Sequence, residues 1–304
     1  MHLITGGLGF IGNELARQLS KTEEVAILDN RNRVAPRIED LSHIPVHPVD
    51  LTDHAAVAGA LARLKPKVVY HLAAIHFIPE CNDNPERTLR VNVEATQGLL
   101  RACEGAGVEH LVFASSGAVY ADSAAPLTEN SPVAPVDIYA WSKWFGEELC
   151  RWHAAQWGLP VTICRVFNNY GPRETNLHIL PEIIKQLREG NRLYLGNTTT
   201  RRDYIYTSDT ARAFMLLSKT IPRPVETVNV SSGHHSSVDE LIAHIGKILG
   251  RQIEVVTDPK RFRKADKQVQ VADLAKLKAL TGWTPAVGLD QGLESLLRFE
   301  GLLK

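Results

Sequence analysis

The sequence predicts an α/β protein: a doubly wound parallel sheet followed by a smaller mixed α/β lobe. Three observations predict it. Short apolar runs alternate with helical patterns through the first half, as strands joined by crossover helices do. A glycine-rich turn separates the first apolar run from the first helical pattern. Beyond residue 165 the alternation gives way to loop-rich sequence.

The turn is Thr5-Gly6-Gly7-Leu8-Gly9-Phe10-Ile11-Gly12, after Leu3 and Ile4 and before the helical Leu15, Ala16 and Leu19. Glycine lets a strand bend sharply into a helix and lets backbone amides approach a phosphate at the helix's positive end. Two registers fit: Gly7, Gly9 and Gly12, or Gly6, Gly9 and Gly12. A second apolar run, Val25 to Leu28, ends in Asp29, 20 residues after Gly9, with Asn30 beside it. That is where a carboxylate meets the ribose of a dinucleotide. The sheet is therefore expected to be of the Rossmann type. The competing reading of the segment is a tight turn and a surface acid.

The remaining elements follow in order. Val46 to Val49 reads as a short strand. Asp50-Leu51-Thr52-Asp53 offers capping residues before an Ala- and Leu-rich helix over 55–64, which Pro66 ends. Val68 to Leu72 is a buried strand by its β-branched content, and Ala73-Ala74 beyond it leaves room for a ligand. A long helix is predicted over 85–105, with Pro85 in its first turn. Leu111 to Ala114 is a strand running into Ser115-Ser116, and a proline-containing loop leads to a second long helix over 138–157, closed by Gly158. Val161 to Arg165 is the next strand. Further on come a helix near 180–188, strands at 203–206 and 225–230, and a helix over 208–218 between them. Ser237-Val-Asp-Glu240 is a capping box that opens a helix striped by Leu241, Ile245, Ile248 and Leu249. Leu289 to Leu303 is amphipathic. Residues 1–165 are expected to form the nucleotide-binding domain and 166–304 the substrate lobe, with the chain returning to the first domain at about 203–231.

Bulk properties narrow the function. The 304 residues are 44% hydrophobic, and 34 basic side chains balance 34 acidic ones. That balance argues against nucleic acid or a membrane surface as the main partner. No apolar run has membrane-spanning length. Met1 stands almost on the first strand, leaving no room for a signal peptide. Cys81, Cys103, Cys150 and Cys164 form no C-x-x-C pair and read as reduced core thiols of a cytoplasmic protein. The histidines are scattered, so no metal site is expected.

Tyr139-Ala-Trp-Ser-Lys143 carries the sharpest chemical signal. Tyrosine and lysine at i and i+4 share a helix face. A free phenol titrates near 10, too high for a base at neutral pH, and a nearby cation would bring it down. Such a phenol can take a proton from an alcohol as hydride leaves the same carbon. Ser116, at a strand end, could hydrogen-bond the reacting oxygen. An ordinary aromatic–lysine pair and a strand-terminal serine are the plainer readings of each alone.

The ordered set T-G-G-L-G-F-I-G, Asp29, Asp50-Leu51, His71-Leu-Ala-Ala74, Ser115-Ser116-Gly-Ala-Val-Tyr120, Tyr139-x-x-x-Lys143, Arg165-Val-Phe-Asn-Asn-Tyr-Gly-Pro172 and Trp283-Thr-Pro285 resembles the extended short-chain dehydrogenase/reductase family. Within it the set is similar to the NAD-dependent sugar-nucleotide epimerase/dehydratase branch, UDP-glucose 4-epimerase-like proteins in particular. The resemblance implies NAD on Gly6, Gly9, Phe10, Ile11 and Gly12, its adenosine ribose on Asp29 and Asn30, and its adenine against Asp50 and Leu51. Leu72, Ala73 and Ala74 would line the same site. Asp29 points to NAD over NADP, although Arg31 and Arg33 stand nearby. Tyr139 would be the base, Lys143 would bind the nicotinamide ribose and tune Tyr139, and Ser116 would orient the sugar hydroxyl. Asn168, Arg202 and Arg263 would hold a nucleotide-diphosphate sugar, as arginine forks suit phosphate. His76 would lie near the nicotinamide or the sugar, or be a buried neutral histidine. Gln270 matches a position that lines the sugar.

Family branches that dehydrate or decarboxylate the sugar carry acids just after the hydroxyl residue. Here Gly117-Ala118 follows Ser116. The resemblance then implies 4-epimerisation of a UDP-sugar through a transient 4-keto intermediate. Alternatives are a 4-keto-sugar reductase, another dehydratase or decarboxylase of the family, a hydroxysteroid-type dehydrogenase, and a non-catalytic dinucleotide-sensing scaffold. The resemblance also implies a homodimer through the two long helices, the second of which is rich in tryptophan.

Overall fold

The computed structural model describes residues 1–30, 41–174, 176–220, 224–262 and 267–304. Strands β1 (His2–Thr5), β2 (Val25–Asp29) and β3 (Val46–Pro48) form one wing of a seven-stranded sheet, and β4 (Val68–His71), β5 (His110–Ser116) and β6 (Val161–Val166) the other. The order across the sheet is β3, β2, β1, β4, β5, β6 and then a strand from much later in the chain, Val225–Val230. Every pairing in this sheet is parallel. The order reverses between β1 and β4, so the crevice of this Rossmann-type sheet opens at their carboxyl ends.

Successive residues of a strand face opposite sides, and the core divides accordingly. Ile4, Ile27, Tyr70 and Val112 pack on one side of the sheet, under helix α1 (Phe10–Leu19). Leu3, Leu28, Val69 and Leu111 pack on the other, under α2 (His54–Leu64) and the long helices.

The predicted helix over 85–105 is not one regular helix. After a short α3 (Ile78–Asp83), it is α4 (Pro85–Leu89), a π-type turn (Arg90–Glu94) and α5 (Ala95–Ala106). The turn delivers Asn92 to the interior, described below. The second long helix, α6 (Ile138–Trp157), is found where predicted, closed by Gly158 in the left-handed conformation.

The second half contains short strands that leave little sequence signal: β7 (Asn168–Tyr170) and β8 (Arg192–Leu195), separated by α7 (Ile179–Leu187). Strand β9 (Arg201–Tyr206) runs into α8 (Thr207–Leu217), which packs beside α1, and β10 (Val225–Val230) is the last strand of the large sheet. His235 belongs to β11 (His235–Ser237). The capping box is present: Glu240 N donates to Ser237 Oγ at 3.1 Å and Ser237 N to Glu240 Oε2 at 3.1 Å, opening α9 (Val238–Leu249). Strand β12 (Glu254–Thr257) pairs with β8, and β13 (Val269–Gln270) with β9. Helices α10 (Ala275–Thr281) and α11 (Leu289–Phe299) complete the chain, α11 burying Leu293 and Leu296 beside Leu241 and Ile245 of α9. Among the described residues no helix is long and apolar enough to cross a membrane. All four cysteines are free and buried.

Candidate active site

A cavity of about 790 Å³ lies over the carboxyl ends of the large sheet. Its floor begins at the glycine turn. Gly6 has φ +70°, and a Cβ there would stand 2.7 Å from Ala73 Cα across the switch point. A Cβ on Gly12 would stand 2.3 Å from Gly6 O. Gly7 instead faces the core, where a Cβ would meet Ile27 at 2.6 Å. Gly6, Gly9 and Gly12 line the cavity and Gly7 does not, so the wider register is the one that faces a ligand.

Behind the turn, Thr5 Oγ1 and His71 Nδ1 are 2.7 Å apart, and His71 Nε2 and Thr96 Oγ1 2.8 Å. Burial, then the charge of Lys143, holds the His71 imidazole down at about 3. It is a neutral brace that joins β1, β4 and α5. Asp29 Oδ2 accepts from Leu8 N at 3.1 Å, which fixes the acid beside the turn. Asp50 is held by bonds from Thr52 N (2.9 Å) and Thr52 Oγ1 (2.8 Å). Phe10, Ile11, Asn30, Leu51, Leu72 and Ala74 all line the same cavity. A glycine cradle against the N-terminus of α1, with a carboxylate at the end of β2, fits a dinucleotide.

Ser116 ends β5, and Tyr139 and Lys143 project from the first turns of α6. Asp137 caps that helix, accepting from Ala140 N at 2.8 Å. All three side chains line the cavity. Burial pushes Tyr139 up to about 12, and the Ser116 hydroxyl only partly offsets it. The lysine ammonium is 5.9 Å from the Tyr139 ring centre and donates to Ala114 O at 2.8 Å. Burial also brings Lys143 down to about 8. A shared helix face sets direction, but the nearest acceptor takes the ammonium.

Sequence reasoning missed Asn92. Its Oδ1 accepts from Ile75 N at 2.8 Å, and its Nδ2 donates to Ile75 O at 2.8 Å and to Ser142 Oγ at 2.9 Å. It therefore ties the loop after β4 to α6 one residue from Lys143. π-type turns of this kind are frequent at functional sites. A buried ion pair lies behind Ser115: Arg165 donates to Glu147 through Nε (2.9 Å) and Nη2 (2.8 Å), and Ser115 Oγ to Glu147 Oε1 at 2.5 Å.

Asn168 and Arg202 line the cavity from β7 and β9. His76 also lines it, with Nε2 2.7 Å from Asn176 Nδ2. Arg31, Arg33 and Arg263 lie outside the described residues. Every other residue assigned from the sequence to cofactor, catalysis or substrate lines this one cavity.

The NAD dependent epimerase/dehydratase family model matches residues 2–231. The chain belongs to this family. GDP-6-deoxy-D-mannose reductase of Pseudomonas aeruginosa is 30% identical over 310 residues, covering 97% of this chain and 95% of that protein. The UDP-glucose 4-epimerase of Thermotoga maritima, solved with UDP-glucose, has a TM-score of 0.90 at 27% identity, covering 98% and 97% of the two chains. The UDP-glucose 4-epimerase of Thermus thermophilus, solved with NAD, has a TM-score of 0.88 at 29% identity, covering 99% and 98%. In this epimerase/dehydratase family member the glycine cradle, Asp29 and the Ser116, Tyr139 and Lys143 trio share one crevice.

Proposed function

We propose that the protein is an NAD-dependent epimerase that inverts C4 of a UDP-sugar. The observation that carries this reading is the convergence of Ser116, Tyr139 and Lys143 beside a glycine cradle, on a turn where Gly117-Ala118 bears no carboxylate. NAD, when bound, supplies the acceptor and donor of a hydride at C4, and Gly6, Gly9, Phe10, Ile11, Gly12, Asp29, Asn30, Asp50, Leu51, Leu72, Ala73 and Ala74 would hold it with Tyr139 and Lys143.

Tyr139 takes the proton of the C4 hydroxyl and returns it to the same oxygen after inversion. Ser116 hydrogen-bonds that oxygen and the phenol, so the proton moves along a short path. With Tyr139 at about 12, the phenol is a strong base once ionised, and ionisation demands positive charge in the cavity. Lys143 supplies one such charge. Asn168, Arg202 and Arg263 take the diphosphate-sugar, and His76 borders it. Residues 1–165 with the returning segment 203–231 form the NAD-binding domain, and the rest of 166–304 the substrate lobe.

The test uses purified protein with UDP-glucose, UDP-galactose and the corresponding uronic acids, without added cofactor, followed by NMR. Interconversion of a C4 pair without net NADH supports the reading; net NADH or a dehydrated product overturns it. A second reading, a 4-keto-sugar reductase, is favoured by the name of the Pseudomonas relative and would consume added NADH or NADPH.

The reading includes a homodimer through α5 and α6, because Trp141, Phe145 and Trp152 stand exposed along one face of α6. It also includes a cytoplasmic location, where four free thiols stay reduced.

A further inference from the structure

Lys267 and Gln270 belong to the segment that ends in β13, and neither is part of the trio above. In the β13–β9 ladder Gln270 stands opposite Arg202. Gln270 Nε2 donates to Gly117 O at 3.1 Å. The Lys267 ammonium donates to Ala118 O at 2.9 Å and also to Tyr120 O. These acceptors all lie on the short 3₁₀ turn that follows Ser116 and on its closing residue. The turn in turn fixes the serine, because Ala118 N donates to Ser116 Oγ at 3.1 Å. Both side chains are more than nine-tenths buried, and both line the cavity.

A buried ammonium is costly unless its donors are used. Here two of its three N–H groups are spent on carbonyls of a turn that a neutral side chain could not grip as strongly. The cost is accepted beside the hydroxyl that meets the reacting oxygen.

We infer that Lys267, with Gln270, is a positioning residue that straps β13 to the Ser116 turn and sets the direction of the Ser116 hydroxyl. This rests on the reading of Ser116 as the group that orients the C4 oxygen. The strap also links the strand register of Arg202 to the serine. Binding energy gathered at the diphosphate end is thereby used at the reacting end.

The test is a double-mutant cycle of Lys267→Met with Ser116→Ala, read by kcat and KM separately, together with hydrogen exchange of the 114–120 segment. Lys267→Met is expected to speed exchange at 116–120 and to lower kcat by about tenfold or more, with KM and bound NAD little changed. In the Ser116→Ala background the same substitution is expected to cost less than about twofold, since its effect passes through Ser116. Lys267→Arg, which keeps the charge and donors, recovers part of the rate. If Lys267→Met does not fold, Gln270→Leu enters the same cycle. Unchanged exchange at 116–120 overturns the inference whether or not the protein is an epimerase. Equal rate losses in both backgrounds also overturn it. Faster exchange in a protein that inverts no UDP-sugar leaves the strap standing and refutes the epimerase reading.

Discussion

The ammonium of Lys143 donates a 2.8 Å hydrogen bond to the carbonyl of Ala114, so the lysine is fastened to β5 and not to the phenol one helical turn away. A single bond thereby joins the strand that ends in Ser116 to the helix that carries Tyr139. Its cost is a buried charge, visible in the fall of Lys143 to about 8.

Lys143→Met is expected to abolish epimerisation while raising stability at pH 7. The relief of the buried charge outweighs the lost Ala114 bond, for a net gain of about 1–2 kcal/mol. Denaturant unfolding at pH 7 checks the sign. The pH dependence follows from the same shift. Folding depresses the lysine, so the unfolded chain holds the extra proton between about 8 and the ordinary lysine value. Wild-type stability therefore gains a rising contribution across that window and lacks it below pH 8. The Met variant loses this rise.

Gly12→Ala is expected to be far worse than Gly7→Ala. The new methyl of the first meets a backbone oxygen at 2.3 Å, and that of the second meets the side chain of Ile27. A side chain can shift; the start of α1 cannot move without opening the cradle. Gly12→Ala should purify with about tenfold less bound NAD or worse, the equivalent of at least ~1.4 kcal/mol. Gly7→Ala should retain most of its NAD. Cofactor released on denaturation measures both.

Asn92→Leu removes three buried hydrogen bonds, leaving Ile75 N unsatisfied and Ile75 O with only the weak Cys81 Sγ donor. A loss of roughly 1–3 kcal/mol is expected from the orphaned amide alone. Because Ser142 adjoins Lys143, kcat should fall as well. Asn92→Asp, which keeps the acceptor for Ile75 N and loses the two donors, should fall between the Leu variant and wild type. Thermal melts and initial rates on the same samples check the order.

Glu147→Gln leaves the Arg165 guanidinium, 3% exposed, without its counter-charge. Breaking such a pair costs about 3–5 kcal/mol. For a chain of this size the melting temperature should drop by roughly 5–8 °C. Replacing both residues, as Glu147→Leu with Arg165→Met, should recover much of that loss. A recovery no better than the single variant would assign the pair a role beyond charge compensation.

Much of the site was legible because its signals are local. Gly6, Gly9 and Gly12 sit within one turn, and Tyr139 and Lys143 within one turn of helix. Glycine spacing and helical spacing are properties of neighbouring residues. The short strands of the second half were not legible. Asn168–Tyr170 and His235–Ser237 are three residues each and mostly polar, too short to display a period of two.

By itself, the sequence determined the alternation that builds the parallel sheet, the existence of a glycine cradle and the presence of Ser116, Tyr139 and Lys143. Each is written in composition or in spacings of a few residues. Only the tertiary structure decided where the Lys143 ammonium goes, that Gly7 faces the core, and that Asn92 and Lys267 serve the same site. Lys267 meets Ala118 across 149 residues of chain, and Asn92 meets Ser142 across 50. Such bonds are chosen by which carbonyls the folded sheet brings within about 3 Å, and no period or motif in the chain records that choice.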